Sequence, residues 1–183
     1  MTLPKHLFAS LCSLTAVVCL PACAPVPPVG PLPGGVELIA LENEPGPFCG
    51  SCDSIKVTAM SDGRVWIEHG YWAGRYTDWT VERRLKHIPI GNFVKLCDHL
   101  SRYRPKGVLA LNHKPPCETF WNDVDGVRVQ WRDGTNDDKL FLNFGCDPEA
   151  KKSMADALKS APSLLGISSL KMPWGQWVAT TPR

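Results

Sequence analysis

From Ile55 to Glu68 the side chains change character at nearly every step. Ile55, Val57 and Ala59 alternate with Lys56, Thr58 and Met60. Ser61-Asp62-Gly63-Arg64 interrupts, and Val65 and Ile67 then alternate with Trp66 and Glu68. Period-two runs on either side of an Asp-Gly predict a β-hairpin. The mostly apolar Val36 to Leu41 predicts a strand before it. Tyr76 to Leu85 alternates again, with Trp79 and Val81 on one face. Phe93, Leu96, Cys97, Leu100 and Tyr103 then recur at helical spacing, and Pro105 marks the end of that helix.

The pattern partly repeats. Val127, Val129 and Trp131 alternate with Arg128, Gln130 and Arg132, Asp133-Gly134 opens a turn, and Leu140, Leu142 and Phe144 form the return strand. Asp147-Pro148-Glu149 reads as an N-cap, a first-turn proline and a first-turn acid. Met154, Ala157, Leu158 and Ala161 line one helix face, and Pro162 closes it. The expected class is α+β, a mostly antiparallel sheet with two helices packed on one face. The expected domain is residues 36–167, with an irregular tail over 168–183.

The first 35 residues follow other rules. Lys5 and His6 precede an uncharged run from Leu7 to Leu20. That is signal-peptide length and short of the roughly 20 apolar residues a spanning helix needs. Leu20-Pro21-Ala22-Cys23 resembles the bacterial lipobox. The resemblance implies a signal peptide over residues 1–22, cleavage after Ala22, and lipid on Cys23 through a diacylglyceryl thioether and an N-terminal acyl chain such as palmitate. An ordinary secretory signal cut after Ala22 or Ala24 is the competing reading. Ala24 to Gly35, APVPPVGPLPGG, holds five prolines and three glycines. Such a segment makes neither helix nor ladder strand, and spans up to about 37 Å as an extended tether. The expected address is the cell envelope, with the lipid bilayer as partner. Ala24, not Asp, follows the cysteine and favours the outer membrane, facing the periplasm.

Removing residues 1–22 from 183 leaves 161, and dropping the tether leaves 148, enough for one domain with a real core. The formal charge is +2 for the whole chain, and the signal holds one lysine, so the mature chain carries +1. That balance gives no reason to expect a nucleic acid partner. Beyond the lipid site remain Cys49, Cys52, Cys97, Cys117 and Cys146. Export favours disulfides, and an odd count leaves one thiol over. Cys49 and Cys52 share a glycine-containing loop. Cys117 and Cys146 flank the second hairpin, whose antiparallel strands bring those flanks together. Bridges Cys49–Cys52 and Cys117–Cys146 are therefore expected, with Cys97 reduced on the apolar face of its helix. A Cys97–Cys117 bridge with Cys146 free is the rival.

The segments FCGSC, IKVTAMSDGRVWIE, CETFWNDVDGVRVQW and FGCDPEAKKSMADALKSAP together resemble a family of small exported bacterial proteins known only as a domain of unknown function. The likeness covers most of Phe48 to Ile167. It rests on Cys49, Gly50 and Cys52 before the first hairpin, and on Cys117, Gly145 and Cys146 about the second. The commoner family version has proline after the second cysteine, where this chain has Asp53. The resemblance implies the fold boundaries and no reaction.

Candidate chemistry is sparse. Cys49-Gly50-Ser51-Cys52 has the spacing of a redox motif, yet it leads into a strand, without the helix N-terminus that lowers a catalytic thiol's pKa. Cys49, Cys52, His113 and Cys117 can be written as a zinc pattern, with a gap longer than zinc sites use. Asp123, Asp125 and Asp133 to Asp138 lack a calcium loop's twelve-residue frame and read as turn residues. His69, His87, His99 and His113 are scattered and read as solvated. In HGYWAGRYTDW, rings stand beside Arg75, a mixture suited to sugar, glycan or protein contacts. Trp79 and Trp131 are expected in the core, and Trp72, in the loop, is the expected contact residue. The sequence predicts a non-enzymatic envelope lipoprotein, without a cofactor, that binds or scaffolds an envelope protein or glycan. The alternative is a thiol-disulfide exchange enzyme using Cys49 and Cys52.

Overall fold

The structure is a computed structural model and describes residues 35–45, 53–73 and 77–168. Cys23, Cys49, Cys52, most of the tether and residues 169–183 lie outside the described residues, so the expectations for them are carried forward as such.

Among the described residues, seven strands form one sheet in the order β4-β3-β2-β1-β6-β7-β5. Both expected hairpins are present. β2 (Ser54–Met60) and β3 (Arg64–Ala73) turn at Asp62-Gly63, and β6 (Gly126–Asp133) and β7 (Asn136–Asn143) turn at Gly134. The central strand, β1 (Leu38–Glu44), joins them by pairing antiparallel with both β2 and β6. Ile39 stands opposite Ala59 and Trp131, and Leu41 opposite Val57 and Val129; all six are buried. Alternation thus places one side of every central strand in the core.

β4 (Asp78–His87) closes one edge, antiparallel to β3. The other edge is β5 (Val108–Leu111), parallel to β7. The hydrophobic pattern did not announce β5. It is four residues long, and Val108 and Leu109 are exposed. The sheet is therefore mixed, though mostly antiparallel, and the class is α+β.

Helix α1 (Ile90–Ser101) buries Phe93, Leu96, Cys97 and Leu100, as its spacing predicts. Helix α2 (Lys152–Leu164) buries Ala157, Leu158 and Ala161. Residues of both helices share one buried cluster with Ile39, Val57 and Trp131. Polar contacts tie the helices together. His99 Nε2 donates to Ala157 O at 3.0 Å, and the Tyr103 hydroxyl donates to Ser153 O at 3.0 Å. His99 is therefore a helix-to-helix brace, not a solvated residue.

Two expectations at α2 need correction. Asp147 is not its N-cap, because the helix starts at Lys152, after a turn closed by Lys151 N–H donating to Asp147 O. Asp147 instead holds the preceding loop. Its carboxylate accepts from Thr119 N–H at 2.7 Å, and its own N–H donates to Thr119 O at 2.8 Å. Pro162 does not close the helix either; it sits inside the last turn, two residues before the end.

Candidate functional site

The strand registers place on the other side of the sheet a second set of side chains, most of them exposed or half-buried. One row runs Leu85, Trp66, Thr58, Ala40, Gln130, Lys139 and Val108. Over β2, β1, β6, β7 and β5 this side forms a groove of about 510 Å³. Ala40, Ala110 and Phe141 supply apolar floor, and Glu42, Lys56 and Arg128 supply charge. Short side chains at Ala40 and Ala110 leave the space; larger neighbours would fill it. Arg128 is fixed from two sides. Its Nε lies 2.6 Å from Glu44 Oε2, and its guanidinium lies 5.0 Å from the centre of the Phe141 ring. An apolar floor with a few oriented polar groups is the usual constitution of a small-ligand or side-chain pocket.

Over β3 and β4 the same side turns aromatic. Trp66 and Leu85 stand opposite each other, then Glu68 and Arg83 in an ion pair of 2.7 Å, then Gly70 and Val81, then Trp72 and Trp79. Trp79 was expected in the core, and it is 45 % exposed. The reason is position: β4 is an edge strand, and Trp79 lies on its outward side. The indole lies against Gly70, where a Cβ would sit 2.4 Å from Trp79 Cζ2. Trp72 meets it edge-on, with ring centroids 5.2 Å apart and planes at 71°. Trp72 is in β3 rather than a loop, and is half-buried. The exposed ring of the pair is thus Trp79, and Trp72 is its support. Trp131 is core as expected, 1 % exposed.

His69 also departs from expectation. It is buried, and its Nε2 donates to Asp53 Oδ2 at 2.8 Å. Its ring stacks on Tyr71 at 5.0 Å, and the Tyr71 hydroxyl donates to Glu82 at 3.0 Å. That hydrogen bond holds the phenol above its ordinary pKa. Asp53 directly follows Cys52 in sequence.

The Cys117–Cys146 disulfide is present, with Cα atoms 5.3 Å apart. It excludes the rival pairing and removes Cys117 from any zinc site, because its sulfur is already bonded. Cys97 is free and buried, and burial pushes its thiol up to about 11. A thiol so shielded is a packing residue, not a nucleophile. Asp133 and Asp138, read as turn residues, instead clamp Arg104 at 2.7 and 2.6 Å. The Arg104 hydrogen bond holds Asp133 below the usual carboxylate range. Asp138 is lowered by the Gly107 amide and then by Arg104. This clamp joins the end of α1 to the second hairpin. It was not legible because Arg104 lies 29 and 34 residues from its partners.

No helix among the described residues is long and apolar enough to cross a membrane. No family model matches the chain, and no curated protein matches it.

Proposed function

We propose that the chain is a lipid-anchored envelope protein, held to the outer membrane through Cys23, whose domain binds or scaffolds an envelope protein or glycan and carries out no reaction of its own. The observation that supports the binding role is the groove on the outward side of the sheet, which combines an apolar floor with the charges of Glu42 and of Arg128, the latter fixed by Glu44. On this reading α1 and α2 cover the opposite face together, in keeping with the cluster they share, and leave the groove open. The tether, Ala24 to Gly35, lifts that face off the bilayer. The likeness of Phe48 to Ile167 to small exported bacterial proteins agrees with the address.

Filling the groove tests the binding role. Ala110→Trp adds an indole to its floor. Chemical crosslinking in cells, followed by mass spectrometry, should find an envelope component attached to the unsubstituted chain and not to the variant, with equal amounts of folded protein. Equal capture by both sinks the groove as the site. Intact mass tests the anchor. A mature chain beginning at Cys23 with a diacylglyceryl group and an acyl chain is expected, and an unlipidated start at Ala24 or Pro25 refutes it.

One observation favours the alternative. Asp53, the residue after Cys52 in sequence, pairs with His69, and an acid–imidazole pair is the kind of group that assists thiolate chemistry. If the chain is a thiol-disulfide exchange enzyme, replacing Cys49 and Cys52 by serine abolishes turnover of a disulfide substrate. Unchanged turnover in the folded double variant removes this reading.

A further inference from the structure

Among the described residues β4 pairs on one side only, with β3. Which of its backbone groups face outward follows from one bond. Ile88 N–H donates to Gly63 O at 2.9 Å. Bonded and non-bonded pairs alternate along an antiparallel ladder. Residues 78, 80, 82, 84 and 86 therefore bond to β3, while Trp79, Val81, Arg83, Leu85 and His87 turn their N–H and C=O groups to the edge.

The side chains of that edge are self-complementary. Turned antiparallel about Arg83, the strand sets Glu82 opposite Arg84 of a second copy and Val81 opposite Leu85 of a second copy, each twice. Trp79 falls opposite His87, and Thr80 opposite Lys86. The central Arg83 pair is a like-charge contact, but each arginine already holds Glu68 at 2.7 Å. Shifting the register by two residues either way loses this match. It sets Glu82 across from itself and Val81 across from Arg83, or Glu82 across from Lys86 and Arg84 across from itself. Charged residues along an edge normally discourage pairing with strange strands. Here the same charges discourage strangers and match a second copy, as specificity requires. Val81 and Leu85 are 48 % and 44 % exposed, and pairing would cover them.

We propose that β4 is a homodimer interface, in which two copies pair edge to edge, antiparallel about Arg83, and merge their two seven-stranded sheets into one. The proposal goes beyond the binding role and does not depend on what the groove holds. The two aromatic stripes would then meet on the same side of the joined sheet.

The test is a cysteine placed on the two-fold axis of the full chain. In the proposed pairing the Cα atoms of residue 83 in the two copies lie about 5.5 Å apart, inside the roughly 4.4–6.8 Å a disulfide accepts. Arg83→Cys should therefore give a disulfide-linked dimer on a non-reducing gel. Val81→Cys should not, because its two copies are offset by roughly 13 Å along the strand. Both are read against the unsubstituted chain. No linked dimer with Arg83→Cys, or equal dimer with both, overturns the proposal. Sedimentation in density-matched detergent gives an independent reading. The unsubstituted chain should have the mass of two copies, and Val81→Lys, with unchanged circular dichroism, the mass of one. A single-copy mass for the unsubstituted chain, whether residues 169–183 or nothing covers the edge, refutes it. So does a Val81→Lys variant that stays paired.

Discussion

Single residues here do work that their sequence neighbours do not reveal. Gly145 is an example. A Cβ on it would meet the Trp121 carbonyl oxygen at 2.3 Å, and that atom belongs to backbone that cannot swing away. Gly145→Ala should lower stability by about 1–3 kcal/mol, read from the urea midpoint; an unchanged midpoint contradicts the packing described. Asp138 gives a pH-dependent prediction. Its carboxyl is held low by the Gly107 amide and Arg104. A depressed folded pKa contributes stability that is present above the unfolded value, about 3.9, and is lost as pH falls through the folded value. Asp138→Asn should therefore destabilise at pH 7 and lose that effect progressively in acid, as the pH falls below the unfolded value. Equal effects at pH 7 and in acid would contradict it. Alternation alone could say which side of a strand Trp79 occupies, but not that β4 is an edge. Trp79 was therefore misplaced, and Trp131, on a strand with neighbours on both sides, was not. His69 and Asp53 were missed for a related reason: the two are 16 residues apart and meet only because β2 and β3 pair.

At the scale of elements, what was local was legible. Both hairpins carry strict alternation about a glycine-containing turn, and α1 carries its apolar stripe. The start of α2 was misjudged because Asp147, an apt cap residue, serves the loop at Thr119 instead. β5 was missed because strand order is set by long-range pairing, and a four-residue exposed strand has almost no pattern of its own. The Cys117–Cys146 bridge lies at the junction of these elements. It joins the loop before β6 to the turn before α2, beside the pairing of Phe120 with Cys146. It spans 29 residues, which in the chain-entropy model is worth roughly 3–4 kcal/mol. Replacing both cysteines by serine should lower the unfolding free energy by about that amount under non-reducing conditions. A double variant as stable as the parent would show the bridge to be incidental.

For the whole molecule, the proposed address rests on the sequence alone, and neither sequence nor fold names the ligand. A signal-length apolar run, a lipobox-like cysteine and a proline tether are contiguous, so their reading needs no fold. The groove is assembled from five strands, β2, β1, β6, β7 and β5, whose order only the folded sheet reveals. The account's central claim is that this outward side, not the helices, meets the ligand. Site-specific photocrosslinking in cells addresses it most directly. Benzoylphenylalanine replaces Phe141 in the groove in one variant, and exposed Arg102, just past the end of α1, in another. The account predicts a discrete adduct from position 141 and none from position 102. An adduct from position 102 alone, or none from position 141 in a correctly localised and folded protein, would contradict it.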